Sequence, residues 1–316
     1  MTSDLESMGI RMRRGEILSR YSSIRIGGAC TAMLYPATRE ELARAVTYLS
    51  AGDIPFCTVG GMTNVLPPDS DSGMVFVNTR AVRDFSWERD VLTADAGCTV
   101  SRICREFSGQ NISALSGLAG IPGSIGGGVR GNAGAFGFSF SDDFLYGEVC
   151  DPGTGACFRL TREEMAFSYR DSILCRQPWI LLRAAFRTHN MPREDILAGI
   201  AARRAKRLAT QPTGEPSLGS IFRRTPEGVS AAYYIDCAGC RGMTCGGAAV
   251  SEKHAGFIVN RGGARAADVL SLMRTVKDRV CAAFGVTLTP EIVILPGTEP
   301  RQGGDNVCPF PENRKN

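Results

Sequence analysis

The chain has 316 residues, long for one domain and comfortable for two. Hydrophobic residues make up 43% and charged residues 22%, an ordinary globular composition rather than a disordered or fibrous one. With 36 lysines and arginines against 32 acidic residues the net charge is +4, too mild to argue for nucleic acid but suited to an anionic small molecule.

In chain order, residues 1–18 read as a flexible arm. Its opening, "MTSDLESMGIRMRRGE", lacks the apolar core of a signal peptide, and no later run reaches the ~18–20 apolar residues of a membrane helix. A cytoplasmic chain with no membrane partner is expected, with its 12 cysteines reduced. "SIRIGGACTAMLY" reads as a strand broken at Gly27-Gly28. Residues 38–53 read as a helix, with Thr38 and Glu41 forming a capping box and Leu42, Val46 and Leu49 at helical spacing. Short strands follow at 55–59, 73–78 and 91–97, then a helix ending at Gly109.

Residues 117–137, "GLAGIPGSIGGGVRGNAGAFG", are dense in glycine and nearly free of charge. A flexible linker would be polar; Ile121, Pro122, Ile125 and Val129 predict a buried, ordered segment instead. Strands resume at "LYGEVCD" and "ACFRL". A capping box of Thr161 and Glu164 predicts a short helix, and "WILLRAAFR" a further strand. A long helix over 194–210 carries Arg203, Arg204, Lys206 and Arg207, read here as a solvated face. After it come "AAYYIDCAG", "HAGFIVN", an amphipathic helix over 266–284 and a strand around "TPEIVILPG"; residues 298–316 read as a disordered tail. Cys237 and Cys240 have zinc spacing, with Cys245 and His254 beyond, but no second C-x2-C or H-x3–5-H follows. Packed thiols and no metal are expected.

Mixed α and β elements without regular βαβ alternation predict an α+β protein of two or three domains. The divisions expected are a flexible arm over 1–18, units over 19–80, 81–188 and 189–297, and a tail over 298–316.

Two segments can cradle phosphate, because glycine lets a backbone approach closely and aim N–H groups at it: "VGGMTN" (59–64) and "GIPGSIGGG" (120–128). Neither is a Rossmann fingerprint or a P-loop. Together they suggest a dinucleotide pyrophosphate on a non-Rossmann fold. "FSYRDS" offers Tyr169 and Arg170 just after the predicted short helix, "EPSLGSIFRR" offers Ser220, and "LTPEIVIL" offers Glu291.

"SIRIGG", "VGGMTN", "GLAGIPGSIGGGVRGNAGAFG", "YRDS", "PSLGSIFRR", "SEKHAGFIVN" and "PEI", in this order, resemble the UDP-N-acetylenolpyruvoylglucosamine reductase (MurB-type) family over about residues 20–297. No tyrosine-bearing insertion follows "YRDS", as in its shorter type II form. The resemblance implies an FAD-binding fold of the vanillyl-alcohol-oxidase (PCMH) type in two subdomains, with a C-terminal α+β substrate-binding domain. It implies FAD as cofactor, NADPH as hydride donor, and UDP-N-acetylenolpyruvoylglucosamine as substrate, reduced to UDP-N-acetylmuramate for peptidoglycan. A monomer acting on small molecules, not nucleic acid, is expected.

Position by position, the resemblance makes Ser220 the acid that protonates C2, with Arg170 and Glu291 stabilising the intermediate and Tyr169 and Arg224 toward the substrate. Gly60, Gly61, Thr63 and Asn64, with Gly120, Ile121, Pro122, Gly123, Ser124, Gly126 and Gly127, would hold the FAD pyrophosphate. Asn132, Ala133 and Gly134 would lie along the flavin. The chemistry is coherent: hydride addition at C3 drives charge into the carboxylate, which needs fixed donors. Arg170 offers a planar fork, Glu291 a donor if protonated, and a hydroxyl within ~3 Å of C2 suffices as acid. Met62 stands where the family has glycine, a costly exchange unless Gly61 takes the positive-φ turn. Arg130-Gly131 also departs from the family, and Cys240 stands where leucine is usual. Another FAD oxidoreductase of this fold, or a non-catalytic zinc or nucleic-acid module, are the alternatives at this point.

Overall fold

The computed structural model describes residues 8–298; the segments 1–7 and 299–316, with most of the expected tail and the start of the expected arm, lie outside the described residues. Among the described residues, three sheets of four or five strands carry the fold. The first has the spatial order Arg11–Arg14, Ala32–Tyr35, Val75–Asn78, Phe56–Val59, with the last three parallel. Parallel neighbours need a crossover, and the helix Arg39–Ala51 provides it, burying Leu42, Ala45, Val46 and Leu49. Thr38 caps this helix by accepting from Glu41 N–H at 3.2 Å.

Two expectations change here. Arg11–Arg14 is not a loose arm but an edge strand, because its backbone pairs in register with Ala32–Tyr35. Leu18 behind it is fully buried. The predicted strand from Ser23 forms only at Ala32–Tyr35, since Gly27, at φ 132°, turns the chain beforehand.

The second sheet is antiparallel, ordered Cys157–Thr161, Phe144–Cys150, Ile180–Arg187, Val91–Asp95, Phe85–Glu88. The helices Val100–Phe107 and Ile125–Arg130 pack into its core. There Phe186 meets Phe140 and Phe144 edge-on, with centroids 5.9 and 5.8 Å apart. The helix predicted after Thr161 is instead a turn. Its reciprocal cap bonds do form, Thr161 N–H to Glu164 Oε2 and Glu164 N–H to Thr161 Oγ1, but Ala166 at φ 46° ends it before a second turn can build.

The third sheet, ordered Ser217–Ser220, Phe257–Asn260, Ala248–Val250, Thr244–Cys245, is antiparallel and backed by the helices Ala231–Cys237 and Ala266–Phe284. In the longer helix Val269, Leu272, Met273, Val276 and Val280 form the buried stripe. Each such side chain contributes roughly 1.5–3 kcal/mol on burial. Gly285, at φ 67°, closes the helix. Cys240 is buried in this core whereas Cys237 is exposed, so the C-x2-C thiols sit in different surroundings.

The first and third units are stitched together. Asp69, from the first, accepts from the N–H groups of Ala266 and Ala267 at 2.7 and 3.2 Å, capping the long helix from outside. Ser23 Oγ donates to Ser217 O at 2.6 Å, and Asn260 Nδ2 to Ile24 O at 2.9 Å. Ile24, Ile26 and Leu66 pack within the third unit's core. These ties fix the strand that carries Ser220 relative to the glycine loop at 60–64.

Candidate active site

Ser220 ends its strand. The register slips between Ser217 and Ser220, and Gly219 takes φ 81°, a conformation open to glycine at no steric cost. The half-buried Ser220 hydroxyl donates, among the described residues, to Phe222 O at a long 3.3 Å. The chain then pairs irregularly with the segment before the last strand: Arg223 N–H donates to Thr289 O at 2.9 Å and Glu291 N–H to Ile221 O at 2.7 Å. Ile221, the residue after Ser220, is therefore bonded to Glu291, 70 positions on in the chain.

Arg170 comes from a different unit. It occupies a tight turn closed by Ser168 and Asp171, with φ 56°, a left-handed conformation costing ~1–2 kcal/mol for a non-glycine residue. Such strain persists where the surroundings over-determine it, and here they do. Arg170 Nε donates to Glu291 Oε1 at 2.8 Å, Nη2 to Gly134 O at 2.8 Å and Nη1 to Asn132 O at 3.5 Å. Its guanidinium lies 5.1 Å from the Tyr169 ring centre. The Tyr169 hydroxyl accepts from Arg224 N–H at 3.3 Å, so these two sequence-derived substrate residues also converge. Glu291 accepts from Arg170 through Oε1.

The glycine loops close the other side. A Cβ on Gly60 would stand 2.1 Å from Ser124 Oγ, and one on Gly123, at φ 112°, 2.9 Å from Thr63 Oγ1. Only glycine lets the loops touch, and Thr63 Oγ1 donates across them to Pro122 O at 3.4 Å. Among the described residues, no hydrogen bond uses the backbone N–H of Gly61, Thr63, Gly123 or Ser124. Asn64 joins this cradle to the catalytic candidates: its Nδ2 donates to Glu291 O at 3.1 Å, and its carbonyl accepts from Val293 N–H at 2.9 Å.

The remaining candidates are placed as follows. Gly126 backs onto Ala96, donating to its carbonyl at 2.8 Å. Gly127 N–H donates to Ser124 Oγ, which caps the short helix. Ile121 packs partly buried on the second core, and Gly120 faces Arg207. The Asn132 side chain is committed internally, to Ser168 O at 2.9 Å and from Ser141 N–H at 3.0 Å. Asn132 and Gly134 thus present their carbonyls to Arg170, with Ala133 between them.

Gly61 does not take the positive-φ turn in place of Met62. Met62 itself adopts φ 48°, and its side chain is 3% exposed among Leu18, Met33, Phe76 and Leu295. Burial of roughly 1.5–3 kcal/mol offsets the ~1–2 kcal/mol of strain.

The basic helix Arg193–Thr210 also differs from its reading as a solvated face. Arg203 lies 5.7 Å from the Phe138 ring centre; Lys206 and Arg207 lie 5.1 and 5.2 Å from that of Phe136. The Nε atoms of Arg203 and Arg207 are buried without a partner, and desolvation lowers the Arg207 pKa below the usual arginine range. Arg207, Arg204, Leu197, Ile200, Ala119 and Gly120 line a cavity of about 430 Å³. Sequence reading missed this cavity beside Gly120; the Arg203–Arg207 spacing of four, with Phe136 in the glycine stretch and Phe138 just after it, were its only signals.

A cradle of close-packed glycines with free N–H groups, beside a buried arginine donor, fits a pyrophosphate-bearing cofactor. Comparison with known proteins agrees. Residues 30–161 match the FAD binding domain family, and residues 211–295 the C-terminal domain of UDP-N-acetylenolpyruvoylglucosamine reductase. The chain is 37% identical over 280 residues to the UDP-N-acetylenolpyruvoylglucosamine reductase of Caldanaerobacter subterraneus, covering 89% of this chain and 92% of that one. It is 35% identical over 308 residues to that of Agathobacter rectalis, covering 93% and 96%. The crystal structure of the Thermus caldophilus reductase superposes with a TM-score of 0.77 at 30% identity, over 91% of this chain and 100% of that one. The chain belongs to the UDP-N-acetylenolpyruvoylglucosamine reductase family of FAD-dependent oxidoreductases.

Proposed function

We propose that this chain, as a cytoplasmic monomer, uses NADPH to reduce UDP-N-acetylenolpyruvoylglucosamine to UDP-N-acetylmuramate, with Ser220 as the acid and Arg170 with Glu291 stabilising the intermediate. The observation that carries this reading is the 2.8 Å contact between Arg170 and Glu291, brought together from 121 positions apart and tied by backbone bonds to the strand of Ser220. The chemistry FAD supplies when bound is hydride transfer, from NADPH and then to the vinyl C3 of the substrate.

Gly60, Gly61, Thr63 and Asn64, with the loop from Gly120 to Gly127, would hold the pyrophosphate of that cofactor, with the N–H groups of Gly61, Thr63, Gly123 and Ser124 as donors. Asn132, Ala133 and Gly134 would lie along its ring system. Charge developing on the substrate carboxylate calls for donors already in place. Arg170 is held there from three directions, so its fork needs no reorganisation as charge builds. Glu291 orients that fork through its 2.8 Å bond from Arg170 Nε. Ser220 donates a proton to C2: its present bond to Phe222 O is long, and exchanging it for a reacting carbon costs little. Tyr169 and Arg224, in contact through the Tyr169 hydroxyl, would face the sugar nucleotide, and Arg204 and Arg207 would add positive charge for phosphates.

The test is spectroscopic. Purified protein should be yellow, bleach anaerobically with NADPH, and recover its flavin spectrum on addition of the enolpyruvyl sugar nucleotide. A protein that takes up no FAD, or bleaches but does not recover, contradicts the proposal.

A further inference from the structure

We propose that Cys150 and Cys157 are a modification site: a cross-strand thiol pair that a peroxide closes into a disulfide. The two residues are direct partners in the antiparallel pairing of Phe144–Cys150 with Cys157–Thr161. One step outward, Asp151 N–H donates to Ala156 O at 2.9 Å. Hydrogen-bonded and non-hydrogen-bonded pairs alternate along such a ladder, so Cys150 and Cys157 occupy a non-hydrogen-bonded position. Cα atoms there lie roughly 4.5 Å apart, within the ~4.4–6.8 Å that a disulfide spans. Partners opposite each other point to the same face. Closing the bond requires rotation of two thiols and no movement of the sheet.

Their exposure divides the work. Cys157 is exposed on the edge strand, open to an oxidant, while Cys150 is buried beneath it against Thr47 of the helix Arg39–Ala51, 3.9 Å away. Burial, with the charge of Cys157 next in weight, pushes the Cys150 thiol up to about 11. Cys150 therefore stays protonated at neutral pH, and Cys157 reacts first. Its sulfur attacks the peroxide: an S–O bond forms, the O–O bond breaks, and water or an alcohol leaves. Cys150 sulfur then attacks that sulfenic sulfur: the S–S bond forms, the S–O bond breaks, and the hydroxyl leaves as water with the Cys150 proton. The two sulfurs give up two electrons and the peroxide accepts them. Cys237 and Cys281 are also exposed, but neither faces another cysteine across a strand pair among the described residues.

The sequence offers a clean readout, because the tryptic peptide 131–159 contains Cys150 and Cys157 and no other cysteine. The full-length protein is treated with hydrogen peroxide, blocked with iodoacetamide and digested. The proposal expects this peptide about 2 Da lighter, by two hydrogens, and unlabelled; after reduction it takes two labels. Cleavage before Asp151 should leave the halves joined. Cys157→Ser and Cys150→Ser should each abolish the mass loss, and Cys157→Ser should keep full reductase activity. A peptide with both cysteines labelled, or with Cys157 over-oxidised and Cys150 labelled, overturns the proposal.

Discussion

Arg170→Lys keeps the positive charge and removes the fork. In the structure that fork makes two bonds of 2.8 Å, from Nε to Glu291 and from Nη2 to Gly134 O, plus a longer one to Asn132 O. An ammonium on a flexible stem can replace one short bond but not both, because the acceptors lie on different units of the protein. The backbone strain at φ 56° is common to both residues and cancels. Losing one charge-assisted bond costs ~1.5–3 kcal/mol. At about 1.4 kcal/mol per factor of ten, oxidation of reduced enzyme by substrate should slow roughly 10- to 150-fold. Anaerobic stopped-flow mixing measures this half-reaction separately from flavin reduction by NADPH. Slowing of less than about threefold, or equal slowing of both half-reactions, would refute the assignment of Arg170 to the developing carboxylate charge.

Three further predictions test the cradle, its strained methionine and one titrating group. Gly60→Ala places a methyl group 2.1 Å from Ser124 Oγ, so the loops must part; retained FAD, read from the flavin-to-protein absorbance ratio, should fall at least ~10-fold in affinity, and wild-type flavin content would contradict the cradle. Met62→Gly relieves ~1–2 kcal/mol of strain but gives up ~2–5 kcal/mol of buried side chain. Urea unfolding should show a net loss, larger still for Met62→Ala, and a Met62→Gly variant more stable than wild type would sink the burial argument. His254 is partly buried, accepts from Gly256 N–H through Nδ1 at 3.1 Å, and has its pKa lowered from 6.5, first by burial and also by the Arg241 charge. The unfolded chain therefore binds its proton more readily, and this stability, present above pH 6.5, is lost as pH falls toward the folded value. The urea midpoint should drop on acidification from pH 7.5, less so for His254→Gln; identical pH profiles for the two proteins would exclude the effect.

Legibility from sequence followed the range of the interaction. The stripes of Leu42, Val46 and Leu49 and of Val269 through Val280 are local and predicted their helices. The glycine loops were readable because close backbone approach leaves a compositional mark. Pairing was not. Arg11–Arg14 looks like a polar arm until Ala32–Tyr35 lies beside it. The Thr161 and Glu164 cap signal is genuine, but capping starts a helix without guaranteeing its propagation. Arg203 and Arg207 look solvated until Phe136 and Phe138 arrive from 65 or more positions away. Family resemblance supplied Ser220, Arg170 and Glu291. The structure adds what holds them: Asn64 on the Glu291 carbonyl, Ser23 on Ser217, and Asp69 on the neighbouring helix.

The central claim is that Ser220 gives its proton to the substrate and takes no part in flavin reduction. Ser220→Ala removes one hydroxyl whose contact in the protein is a 3.3 Å bond to Phe222 O, so folding and FAD binding should be unchanged. Both half-reactions are to be timed anaerobically on this variant. The account predicts NADPH bleaching of the flavin at near wild-type rate, and reoxidation by the enolpyruvyl sugar nucleotide slowed ~10²–10⁴-fold, the range of a general acid. Reoxidation at the wild-type rate, or equal loss in both halves, would contradict it.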